Sequence, residues 1–353
     1  MDSSGFPAPR SMSDWIEFLT ARGAVVVPVA DGNAAGWRVL SFGRPEREYA
    51  AAYAGAVVCP LPEWSALSVS GADAGSFLHG QFTNDVAVLA VGAAQYNGYC
   101  SAKGRMLATF ALRRAADREY LLVVPADIAA ALERRLRMFV LRAKVVINSL
   151  AETHECIGIA GARASGIADR ESVRVLALPG GRQLAICAAA TAPSFWNEIA
   201  AAATPAGSAV WDRLAIDAGI PVITLATQDK FVPQMLNWEV VGGVSFQKGC
   251  YPGQEIVARM QYLGKLKERL YRAHTAAGPP PHPGSQLYGE QFGDQACGTV
   301  VNAAAASGGG ADMLVVLQIA SAVSDQIRLG PAADAPVLEL LPLPYSVPAT
   351  APK

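Results

Sequence analysis

The sequence predicts an α+β protein made of two similar strand–helix–strand halves followed by a small antiparallel barrel. Three observations point there. Strand-like alternation and helix-like apolar spacing intermix from about residue 60 to 220, with helices too few and too irregularly placed for a doubly wound parallel sheet. No Gly-x-Gly-x-x-Gly follows any strand pattern, so a dinucleotide fold lacks its signature. Beyond residue 265 the connector Gly278-Pro279-Pro280-Pro281-His282-Pro283-Gly284 leads into short strand patterns separated by turns such as Gly308-Gly309-Gly310. The expected division is 1–150, 151–264 and 265–353.

Each element follows from its pattern. Asp14 is a plausible N-cap with Glu17 at the capping-box position, and Gly23 ends that helix. A strand begins at Trp64, where Leu67 and Val69 alternate with Ser68 and Ser70. Ser70-Gly71-Ala72-Asp73 starts a short helix through Phe77 and Leu78. Residues 95–100 return as a strand, Ser101-Ala102-Lys103-Gly104 forms a tight turn, and 106–113 and 120–124 read as further strands. A helix spans 127–140. The second cycle has strands at 156–159 and 184–187 and helices at 195–202 and 210–218, and the barrel strands fall at 298–301, 314–319 and 337–341.

At 353 residues, 52% of them hydrophobic, the chain is long enough for two or three domains. A net charge of −1 removes the electrostatic footprint of a dedicated nucleic-acid binder, so no direct nucleic-acid contact is expected. The cations Arg134, Arg135, Arg137, Arg142 and Lys144 read as the solvated side of the helix whose apolar face is Ile128, Leu132, Leu136 and Phe139. No apolar stretch reaches the roughly 18–20 residues of a spanning helix, and the N-terminus shows no secretory pattern. A soluble cytoplasmic protein with no membrane contact is the expectation.

Six cysteines (Cys59, Cys100, Cys156, Cys187, Cys250, Cys297) form no Cys-x-x-Cys pair and do not cluster with the histidines, so no metal site is expected. The most informative segment is Lys248-Gly249-Cys250-Tyr251-Pro252-Gly253-Gln254-Glu255. Ile256, Met260 and Leu263 follow at helical spacing, which predicts a helix starting near Pro252. Cys250 would then lie just ahead of a helix N-terminus with Lys248 close by, and both influences favour a thiolate. The residues alone leave two readings open: a reactive thiol, or a small hydrophobe at a packing contact.

This octapeptide resembles the Lys-Gly-Cys-Tyr-x-Gly-Gln-Glu motif of the YgfZ family, relatives of the glycine-cleavage aminomethyltransferase. Further matching segments are Val69–Asp73 with Phe77–Val86, Ala102–Arg105, Trp211 with Ile216–Ile223, Phe231–Gln234 with Asn237, and Leu343–Ser346. The resemblance covers nearly the whole chain from Trp64. It implies an aminomethyltransferase-like body around a folate channel, with a C-terminal barrel. It also implies a folate-binding accessory protein that supports assembly or repair of iron–sulfur clusters, notably in a tRNA-thiolating enzyme. The implied ligand is tetrahydrofolate or a one-carbon derivative, and the implied partners are iron–sulfur enzymes or assembly proteins.

By that pattern Trp64 and Trp211 contact folate, Asp217 stands where the transferases use a glutamate on the pteridine edge, and Cys250 with Lys248 forms the functional thiol. Taken without the family, each tryptophan reads as core. The transferases carry an acidic pair after the turn at Gly104, where this chain has Ala108-Thr109. Alanine exchanges no proton, which argues against aminomethyl transfer. A folate-dependent one-carbon transferase and a non-catalytic docking module remain the alternatives.

Overall fold

The computed structural model describes residues 14–31, 34–161, 166–324 and 326–348; the N-terminal stretch read for a leader lies outside them. Three five-stranded sheets carry the fold. The first runs Ala94–Cys100, Met106–Ala116, Glu119–Pro125, Trp64–Ser70, Val146–Ser149 in spatial order, antiparallel throughout. The second runs Val173–Leu178, Arg182–Ala188, His154–Ala160, Val57–Pro60, Thr204–Pro205, with only the last pair parallel.

The two halves share a plan. In each, a hairpin lays its second strand against the strand that opens the half. A helix follows (Ala126–Met138; Ala192–Ala200), and a short strand closes the far edge. The α+β class and the paired halves of the sequence reading are both present. One departure corrects the expected boundaries. Val57–Pro60 inserts between His154–Ala160 and Thr204–Pro205, and Trp15, Leu19 and Val58 bury themselves with Ile157, Val175 and Trp196. By packing, Asp14–Thr20 and Val57–Pro60 lie with the second half and not in a 1–150 unit. A hairpin, Val25–Asp31 with Ala34–Ser41, accompanies them.

The third sheet runs Gln286–Tyr288, Ala296–Ala305, Ala311–Gln318, Glu268–Thr275, Glu339–Leu341. Bridges from Tyr288 to Arg328 and from Arg328 to Val337 close the ring around its own core of Leu287, Val300, Met313 and Val315. Between the three sheets lies a central core containing Trp211, Trp238, Leu270 and Val316. No helix among the described residues is long and apolar enough to cross a membrane.

Candidate functional site

Trp64 and Trp211 line one cavity. Trp64 opens its strand and is half-buried, while Trp211, on the helix Ser208–Asp217, is 2% exposed. The indole of Trp211 lies flat against the second sheet because residue 158 is glycine: a Cβ there would sit 2.6 Å from Trp211 Cε3. Tyr96, Thr109, Arg182 and Trp238 complete the polar and aromatic wall, with Leu184, Ile220 and Val222 among the aliphatic residues. None of the lining residues is Asp, Glu, His or Cys. The cavity volume is about 30 Å³, room for a single water. The aromatic faces suit a flat ring in chemistry, but a pteridine enters only if side chains on the wall give way.

Side chains from different sheets fix the segment Gly219–Ile223 that forms one wall. The Thr109 hydroxyl donates to the Pro221 carbonyl at 3.2 Å and accepts from Ile223 N–H at 2.9 Å. Asn302 of the barrel accepts from Val222 N–H at 2.8 Å and donates to the Val222 carbonyl at 2.9 Å. Tyr345 donates to the Gly219 carbonyl at 2.7 Å, which gives the closing Leu343–Ser346 segment its place. An irregular backbone segment without a strand partner needs such acceptors and donors from side chains.

Asp217 is not among the lining residues. Arg213 at 3.0 Å, Arg272 at 2.5 Å and the Tyr53 hydroxyl all bind its carboxylate, and Arg213 continues to Asp312 of the barrel. The structure does not bring Asp217, expected at the pteridine edge, to this cavity: Tyr53, Arg213 and Arg272 hold its oxygens, and of these Arg272 ties the helix to the barrel. The Ala108 side chain is wholly buried and does not line the cavity, which meets Thr109 instead. Neither position offers a carboxylate.

The Lys248–Glu255 motif builds a separate feature, and Cys250 does not line the cavity. Its loop docks on the Phe77–Val86 segment: Thr83 Oγ1 donates to the Gly243 carbonyl at 2.6 Å, and Asn84 Nδ2 to the Gly242 carbonyl at 2.7 Å. Lys248 Nζ donates to the His79 carbonyl at 2.6 Å and sits 4.6 Å from the centre of the Tyr251 ring. Burial lowers the Lys248 ammonium to about 8, against the opposing pull of the Asp85 carboxylate.

The helix begins at Gln254, later than the Pro252 start expected, because Gly253 takes the cap position at φ 80°. A Cβ on Gly253 would lie 2.4 Å from the Ser101 carbonyl and 2.7 Å from Gly104 Cα. Glycines at 104 and 253 thus let the Ala102–Arg105 turn press directly on the motif. Cys250 stands four positions before the helix, beyond the first turn in which the macrodipole acts.

Cys250 is exposed, whereas the other five cysteines are buried. Burial pushes Cys100 and Cys187 up to about 12 and Cys59 and Cys156 well above the usual thiol range. Among the described residues no group of three or more His, Cys, Asp or Glu is arranged to hold a metal ion.

Arg182 escaped the sequence reading. It is buried, donates to the Tyr96 hydroxyl at 3.2 Å, and its guanidinium carbon lies 5.2 Å from the centre of the Trp211 ring. An arginine heading a strand pattern reads as a rim residue, and only the tertiary fold places it inside.

Comparison with known proteins agrees with this architecture. Residues 15–174 match the GCVT N-terminal domain family. The "tRNA-modifying protein YgfZ" of Edwardsiella ictaluri is 33% identical over 322 residues, covering 86% of this chain and 96% of that protein. The chain belongs to the YgfZ family. The Shigella sonnei YgfZ protein is 29% identical over 86% of this chain and 97% of its own length. A crystal structure of the glycine cleavage system aminomethyltransferase T from Bartonella henselae superposes with a TM-score of 0.77 at 16% identity, covering 94% of this chain and 96% of that one. That likeness establishes the aminomethyltransferase-like fold.

Proposed function

We propose that this member of the YgfZ family binds a reduced folate between Trp64 and Trp211 and supports the assembly or repair of iron–sulfur clusters in client enzymes. Enzymes that thiolate tRNA are the clients suggested by the family resemblance and by the tRNA-modifying name of the relatives. One observation carries the reading: two tryptophans far apart in sequence line a single cavity with Tyr96 and Arg182. Aromatic pairs add about 0.5–1.5 kcal/mol beyond their area burial, a use that a core packing role alone would not require of indoles on a cavity wall. When bound, a reduced folate supplies a one-carbon carrier. The protein's own residues hold its ring, exclude water from it, and present Cys250 with Lys248 on a separate surface for the client or its cluster.

One-carbon transfer is the weaker reading, because no carboxylate or histidine lines the cavity to move a proton. The reading is tested in cells that lack the protein, by assaying a tRNA-thiolating iron–sulfur enzyme. Wild type should restore thiolation, while Trp211→Ala and Cys250→Ser, accumulating normally, should not. Full restoration by both variants would refute the proposal.

A further inference from the structure

Three arginines are buried among the described residues, and one of them lacks an ionic partner. Arg113 pairs with Asp169 and Arg269 with Glu239. Arg182, 4% exposed, has no carboxylate within ion-pair range among the described residues. Its Nη2 donates to the Tyr96 hydroxyl at 3.2 Å, its Nε to the Pro179 carbonyl at a long 3.4 Å, and Nη1 has no protein acceptor among the described residues, although it is not itself sealed from solvent. A guanidinium carries five N–H donors in a rigid planar fork. Burying that charge without pairing it is costly, and the Trp211 face compensates only in part. The group is therefore held in an apolar cavity with donors to spare, and the wall offers them no carboxylate.

We propose that Arg182 selects the ligand of this cavity by donating to a carbonyl oxygen on the edge of a flat ring stacked against Trp211. The inference rests on the folate reading and deepens it. The guanidinium lies over the face that the ligand would cover. A ring sliding onto Trp211 moves it aside to the ring edge, where a 4-oxo pteridine presents an oxygen and a 4-amino pteridine presents N–H groups. Donor facing donor leaves both without a partner in a narrow, largely apolar site, and sites built around a hydrogen bond reject analogues that cannot make it.

The test is a fluorescence titration of wild type, Arg182→Met and Arg182→Lys with tetrahydrofolate and with its 4-amino counterpart, alongside thermal melts. Wild type should prefer the 4-oxo ligand by at least about tenfold, the scale of one charged hydrogen bond. Arg182→Met should lose that preference by weakening tetrahydrofolate alone, while its melting temperature holds or rises because a buried charge is gone. Arg182→Lys keeps the charge without the fork and should recover only part of the preference. Equal weakening of both ligands, or a preference unchanged in Arg182→Met, would overturn the inference and leave folate binding intact. Failure of wild type to bind either ligand would overturn the folate reading, and this inference with it.

Discussion

Asn302 pairs with the backbone of Val222 as a strand would, accepting from its N–H at 2.8 Å and donating to its carbonyl at 2.9 Å. The barrel thereby shapes a wall of a cavity whose Trp64 comes from the first sheet and whose Trp211 comes from the helix Ser208–Asp217. Asn302→Leu removes both partners at once. Stability should fall by roughly 1–3 kcal/mol, the range for leaving buried polar groups unsatisfied, read from urea unfolding. Tetrahydrofolate affinity should fall with it. An unchanged unfolding midpoint would show that water replaces the amide without loss.

Thr109 holds the neighbouring atoms from the opposite side, through Pro221 and Ile223. Thr109→Val keeps the shape but loses the hydroxyl, and should cost about 1–3 kcal/mol. Thr109→Ser keeps the hydroxyl and should stay near wild type. Faster hydrogen exchange at the Ile223 amide in the valine variant alone would locate the effect; equal exchange in both would argue against the clamp.

Glu63, beside Trp64, gives a pH signature. Burial pushes its carboxyl up to about 7, against the Arg38 guanidinium, which lowers it, while Asp212 adds to the rise. Both carboxyl oxygens are buried. The folded state thus binds a proton more tightly than the unfolded chain, whose carboxyl has the ordinary value of 4.5. The contribution is fully present below that value and is lost as pH rises through about 7. Glu63→Gln should therefore raise the melting temperature at pH 8 more than at pH 5. A constant difference across that range would contradict the assignment.

Much of this architecture is legible in sequence because it is local. The alternation after Trp64 marks a true strand, and the spacing of Ile128, Leu132 and Leu136 marks a true helix, Ala126–Met138. What escaped depends on distant partners. Val57–Pro60 is four residues long, and only strands far along the chain, His154–Ala160 and Thr204–Pro205, decide which half it joins. The motif helix starts at Gln254 because Gly253 adopts a left-handed cap against Gly104, a contact invisible in the octapeptide. Asp217 sits in a recognisable segment, yet Tyr53 and Arg272 claim it from elements remote in sequence. Arg182 and Asn302 carry no local signal, since burial of the one and pairing of the other are set by tertiary placement.

Cys250 should alkylate fastest of the six cysteines at neutral pH, being exposed beside Lys248 while the rest are buried. Mass spectrometry after a brief iodoacetamide pulse reads this directly. Labelling spread evenly over the cysteines would contradict the exposed-thiol account.

The central claim is that Trp64 and Trp211 hold a reduced folate, and tetrahydrofolate titration by intrinsic tryptophan fluorescence tests it most directly. Wild type should show saturable quenching. Trp211→Ala should weaken binding by about tenfold if it removes roughly 1–3 kcal/mol of contact, and Trp64→Ala should weaken it in the same direction. Affinity unchanged in both variants, with folding intact, would place the folate elsewhere and contradict the account.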